Sequence, residues 1–207
     1  MTRSILELNA HQIDVLKEVS NIGAGNAATA LAQIIRRPIK MTVPTVRILS
    51  FDKVADVAGG ADAIVAGILL EVSGDLQADL LLLLPWSQAS DILAIMLAGG
   101  KSSFLELDEM EISALEELGN ILANSFLTAL SKFTKLRFSP HVPSLAIDMA
   151  GAVLNLPLAR LGESVEQALV IDTIFHEQQQ SVDGYFLFIP RPQDLKEFLH
   201  HLEVVSR

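Results

Sequence analysis

Cysteine is absent from the 207 residues, which excludes disulfides and thiolate chemistry and suits a reducing cytoplasm. Basic residues are scarce. Lys and Arg number 15 against 25 Asp and Glu, a formal net charge of −10. With no basic run for a phosphate backbone, nucleic acid is not an expected partner. A partner with a basic contact face suits this balance better. Long hydrophobic runs are missing too. The run Leu80–Trp86 is closed off by Asp79 and Ser87, far short of the roughly 20 apolar residues a spanning helix needs. Met1–Glu7 meets charge before a signal-peptide core could form, so neither membrane insertion nor export is expected. The 50% hydrophobic content must then fill a buried core, and a domain of this length hides roughly 70% of its unfolded surface. The five histidines, His11, His141, His176, His200 and His201, have no metal-ligand spacing, and no Ser-His-Asp arrangement is visible. No metal site is expected.

What is present is a repeat. Shifted by 99 residues, Leu8–Val46 lies over Leu107–Leu145 without a gap, with 12 identities in 39 positions. They include Leu16/Leu115, Glu18/Glu117, Asn21/Asn120, Ala24/Ala123, Leu31/Leu130 and Pro44/Pro143. At a shift of 105 the match resumes, Ile64–Leu84 followed by Pro85 over Leu169–Ile189 followed by Pro190. Each copy reads as a long helix, strands, a hairpin ending in Pro, and a short helix (Ser87–Leu97; Gln193–Leu202). The hairpin arms are Ala63–Val72 with Ala78–Leu84, and Ala168–His176 with Gly184–Ile189. Their turns are placed at Ser73-Gly74-Asp75 and Ser181-Val182-Asp183-Gly184. The connection Ala98–Ser103 is only six residues long, four of them Gly or Ser, so separate beads on a linker are not expected. The expected fold is α/β: one domain over 1–207, built from repeats of about 8–100 and 107–203. A pseudo-two-fold would relate the copies, with two long helices packed side by side on β-sheet.

Helical periodicity sorts the long segments into faces. The second helix, about Asp108 to Lys132, opens on an Asp N-cap and acidic first-turn residues. Its buried stripe is expected at Ile112, Leu115, Gly119, Leu122, Phe126, Leu130 and Phe133; Ser113, Glu117, Asn120 and Asn124 oppose it. In the first helix the stripes are Ile13, Leu16, Ser20, Gly23, Ala27, Leu31, Ile34 and Asp14, Glu18, Asn21, Gly25. Ser20, Gly23 and Ala27 are small enough for a close helix crossing. Gly23-Ala24-Gly25 is a poor phosphate loop, because no strand precedes it and it sits mid-helix. A single Glu-x-x-Asn on a wet face is ordinary surface. Its retention in both copies, while neighbouring exposed positions have drifted, is not ordinary.

The doubled pattern is Asp or Ser, three residues, Glu, two residues, Asn, twenty-two residues, Pro. It reads Asp14, Glu18, Asn21, Pro44 and then Ser113, Glu117, Asn120, Pro143. This resembles the signature of the CheC/CheX/FliY chemotaxis phosphatases, and the likeness runs over essentially the whole chain. Two copies, without the flagellar-switch domain that FliY carries beyond the counterpart of Arg207, resemble the CheC branch. The resemblance implies an enzyme that removes the aspartyl phosphate of a CheY-type response regulator. Asn21 and Asn120 would orient the attacking water, and Glu18 and Glu117 would pair with the receiver's Lys. Asp14 and Ser113 would contact the partner, and Pro44 and Pro143 would shape the neighbouring strand. No cofactor of its own is implied, since the receiver supplies Mg²⁺. The stretch Ala146–Leu154, with Asp148, reads either as a plain amphipathic helix or as the region where relatives bind the deamidase CheD. An alternative function is a non-catalytic adaptor for CheD or for the flagellar switch. The intact Glu/Asn pairs speak against it.

Overall fold

The computed structural model, which describes residues 8–100, 102–161 and 167–204, runs twice through the same order of elements. The first pass is α1 (Ala10–Ile35), β1 (Lys40–Thr42), β2 (Val46–Ser50), α2 (Phe51–Val57), β3 (Ile64–Gly74), β4 (Ala78–Pro85) and α3 (Trp86–Leu97). The second is α4 (Glu109–Thr134), β5 (Phe138–Pro140), β6 (Ser144–Met149), α5 (Ala150–Leu161), β7 (Gln167–Glu177), β8 (Gln180–Pro190) and α6 (Leu195–Val204). Met1–Glu7, on which the absence of an export signal was read, and Lys101 of the connection lie outside the described residues.

The two long helices start on matching chemistry. Asn9 accepts from the Gln12 N–H at 2.8 Å, and the Gln12 carboxamide accepts from the Asn9 N–H at 2.9 Å. Asp108 and Glu111 make the same reciprocal pair, at 2.8 and 2.9 Å. These capping boxes satisfy donors that a helix start leaves without partners. Both helices end on a left-handed residue, Arg36 and Lys135.

The sheet reads β1-β7-β8-β4-β3-β5, with β2 also on β7 and β6 also on β3. The order is a palindrome. The first copy's leading strands pair with the second copy's hairpin, and the reverse holds for β5 and β6. Its centre is the antiparallel pair β4·β8, where Leu82 faces Phe186. An operation that reverses both strand order and strand direction is a two-fold axis normal to the sheet. Both sheet faces are covered, unlike the many antiparallel sheets that keep one face wet. Leu80, Leu82 and Leu84 of β4 join the core under α1, α3, α4 and α6. Leu81 and Leu83 point the other way, against Phe51, Val54 and Ala55 of α2 and Ala150, Val153 and Leu154 of α5. A fully buried Leu is worth about 1.5–3 kcal/mol, so this strand anchors both layers.

Several expectations need correction. Ile34 and Ile112 are exposed, at 51% and 37%, and Ile13 and Phe133 are half-buried; the stripes hold in the middle turns and fail at the helix ends. Ser181–Gly184 is no turn but lies within β8; the hairpin turns at Gln178, which takes φ 52°. Residues 146–149 belong to β6, and helix begins only at Ala150. Helix α2 was not foreseen.

Candidate active site

Asp14, Glu18, Asn21 and Gly25 are exposed along α1, as are Ser113, Glu117 and Asn124 along α4, with Asn120 half-buried among them. Both predicted wet faces are thus present on helices that lie on the same side of the sheet. The helices meet at Gly23. A Cβ there would come within 3.1 Å of the Phe126 Cα, so backbone touches backbone and only glycine fits without displacement. A two-fold normal to the sheet makes the helices antiparallel, which separates the motifs. With Gly23 against Phe126, Asn120 lies opposite position 29, about 12 Å along the helix from Asn21 at 1.5 Å per residue. The same reckoning puts the two Glu about 21 Å apart. Each Glu/Asn pair stands complete on its own helix, one turn apart.

The prolines occupy equivalent breaks. Between β1 and β2 the register advances four residues against three: Thr42 faces Ile174 and Val46 faces Ile171. Between β5 and β6 the shift is the same, Pro140 facing Val72 and Ser144 facing Leu69. Pro44 and Pro143 therefore each sit in a one-residue bulge, where a missing N–H costs no ladder bond. Val43, beside Pro44, lines a void of about 20 Å³ together with Ser20, Gly23 and Ala24, the residues around Asn21.

The two pairs differ in their hydrogen bonds. In the second, Asn120 Nδ2 donates to Glu117 Oε2 at 3.3 Å. Asn124 Nδ2 lies 2.8 Å from both Asn120 Oδ1 and the Asn120 carbonyl oxygen, and donates to both. In the first, Gly25 stands where Asn124 would, and the Asn21 side chain has no hydrogen-bond partner among the described residues. The sequence places Asn124 on the wet face, and its spacing of four from Asn120 is the signal for the contact. Asp148 is exposed near the end of β6, on a strand and on neither of the two motif helices, next to exposed Met149. Among the described residues no group of three or more His, Asp or Glu could hold a metal, and no helix is long and apolar enough to cross a membrane.

A family model described as CheC-like matches residues 12–48 and 110–147, the segments that carry the two motifs. The chain is 42% identical over 187 residues to the CheY-P phosphatase CheC of Bacillus subtilis (strain 168), covering 88% of this chain and 90% of that protein. Among solved structures, Thermotoga maritima FliY superimposes with a TM-score of 0.74 at 24% identity, covering 93% of this chain and 98% of that one. The FliM middle domain from H. pylori gives 0.65 at 9% identity, covering 94% and 99%. At such identities the structural matches speak for the fold alone.

Proposed function

Since the chain belongs to the CheC-like family, we propose that it is a phosphatase that hydrolyses the aspartyl phosphate of a CheY-type response-regulator receiver. The observation that carries this reading is the solvent-facing Glu/Asn pair, exposed but for the half-buried Asn120 and present on both long helices of a chain 42% identical to a CheY-P phosphatase. No nucleophile of its own is needed, because the receiver brings the phosphoryl group, a Lys and Mg²⁺. A carboxamide donates and accepts at once, so Asn21 and Asn120 can align one water in line with phosphorus. Such placement can remove several kcal/mol of barrier. Glu18 and Glu117, one turn away, would pair with the receiver's Lys and hold each Asn in register. Asp14 and Ser113 continue the same faces toward the helix starts and would touch the receiver. The cytoplasm, where such receivers work, is the matching compartment.

The test follows phosphate loss from a phosphorylated CheY-type receiver. Asn21→Ala with Asn120→Ala should abolish the acceleration and still unfold cooperatively, with at most about 1–2 kcal/mol of stability lost, because Asn21 is exposed and Asn120 gives up only side-chain hydrogen bonds at a half-buried site. Wild-type activity in a folded double variant would sink the mechanism. A second reading, an adaptor for CheD, is favoured by one observation: Met149, next to Asp148, and Leu156 of α5 are large apolar residues 44% and 40% exposed. A chain that binds CheD but leaves the receiver's phosphate untouched would favour it.

A further inference from the structure

We infer that Asn124 is a positioning residue that holds the Asn120 carboxamide in its working orientation, so that the second Glu/Asn pair is preorganised and the first is not. The inference rests on the phosphatase reading of these pairs. A free Asn side chain on a helix rotates about two bonds, and its amide can present oxygen or nitrogen to a given point. Asn120 is pinned at both ends, its Oδ1 by Asn124 Nδ2 at 2.8 Å and its Nδ2 by Glu117 Oε2 at 3.3 Å. The same Asn124 amide also reaches the Asn120 backbone carbonyl at 2.8 Å, which fixes the clamp to the helix itself.

The clamp leaves the chemistry available. A carboxamide has two N–H donors and two acceptor lone pairs. Glu117 takes one donor and Asn124 one lone pair, so one donor and one acceptor remain for a water. The opposite orientation would set the Asn120 Nδ2 against the Asn124 amide donor and its oxygen against the Glu117 carboxylate, which is repulsive twice. In the first copy the position is Gly25, where an added Cβ meets nothing within 4 Å. Space for the same clamp exists there, and the side chain to make it does not.

The experiment uses the full chain and a phosphorylated CheY-type receiver, with Asn21→Ala as background so that only the second pair works. Asn124→Ala is expected to lower kcat roughly fivefold, about the worth of one such hydrogen bond, with KM unchanged. Asn124→Asp has the same shape but cannot donate, so it should lose at least as much, whereas Asn124→Gln keeps the donor and should recover most of the rate. In the reverse background, Asn120→Ala, installing Gly25→Asn should raise kcat several-fold. Gly25→Ala, which adds no amide, should not. If Asn120→Ala in the first background leaves the rate unchanged, the phosphatase reading of the pair fails and the clamp falls with it. If Asn120→Ala abolishes the rate while Asn124→Ala and Asn124→Asp leave kcat intact, the clamp alone is overturned.

Discussion

Asp79, the second residue of β4, has its side chain only 4% exposed, and its Oδ2 has no hydrogen-bond partner among the described residues. Arg160 Nη2 stands 3.8 Å from its Oδ1 but 2.5 Å from Glu71 Oε1, so the guanidinium serves Glu71 first. Burial therefore pushes the Asp79 carboxyl above its usual 3.8, against the pull of Arg160, while the hydrogen bond from Arg160 holds Glu71 below its usual range. The sign for Asp79 follows from linkage. Between its unfolded and folded pKa values the folded state binds more protons, so stability falls as pH rises through that window and the loss is complete above it. Asp79→Asn removes the charge. Its stability relative to the parent, by urea denaturation from pH 4 to 7, should rise with pH; a constant difference would show that Asp79 is ionised in the fold at an ordinary pKa.

At the scale of elements, the α1–α4 crossing decides how far apart the two Glu/Asn pairs lie. Gly23 permits that approach, with Phe126 backbone 3.1 Å from where its Cβ would be. Backbone cannot rotate away as a side-chain tip can. Gly23→Val should cost about 1–3 kcal/mol through overpacking. Gly25→Ala, two residues on and facing open space, should instead add about 0.5–1 kcal/mol, the ordinary gain of Ala over Gly inside a helix. Chemical denaturation of the two variants checks both, and equal effects would mean the crossing is not tight at Gly23.

For the whole molecule, the consequence of the palindromic sheet is mutual dependence. Among the described residues β1 and β2 find their partner only in β7, and β5 and β6 only in β3. A single copy leaves its leading strands and one hairpin edge unpaired, with the apolar cover of both missing. Residues 1–100 produced alone should give no folded monomer; the fragment should either aggregate or pair with a second copy of itself. Size-exclusion chromatography with circular dichroism tests this, and a folded, cooperative monomer would contradict the interlocked topology.

By itself the sequence determined what neighbouring residues decide. The cap at Asp108, the middle turns of both buried stripes, the hairpins ending at Pro85 and Pro190, and the wet faces bearing Glu18, Asn21, Glu117 and Asn120 all depend on residues within a few turns of one another. Tertiary structure decided the rest. Gly184 was misread as a turn because its reason is distant: Leu84 Cδ2 would lie 2.7 Å from a Cβ there, so glycine serves packing between strands. Nothing local marks the bulges at Pro44 and Pro143, which exist only as register against β7 and β3. Helix α2 is seven residues long, too short for a period to declare itself, and forms because the outer sheet face needs cover. The repeat could announce two Glu/Asn pairs. How far apart they lie required the antiparallel crossing, and which of them is held in one orientation required Asn124 to be seen bonded to Asn120, because a side-chain orientation follows from geometry and not from spacing alone.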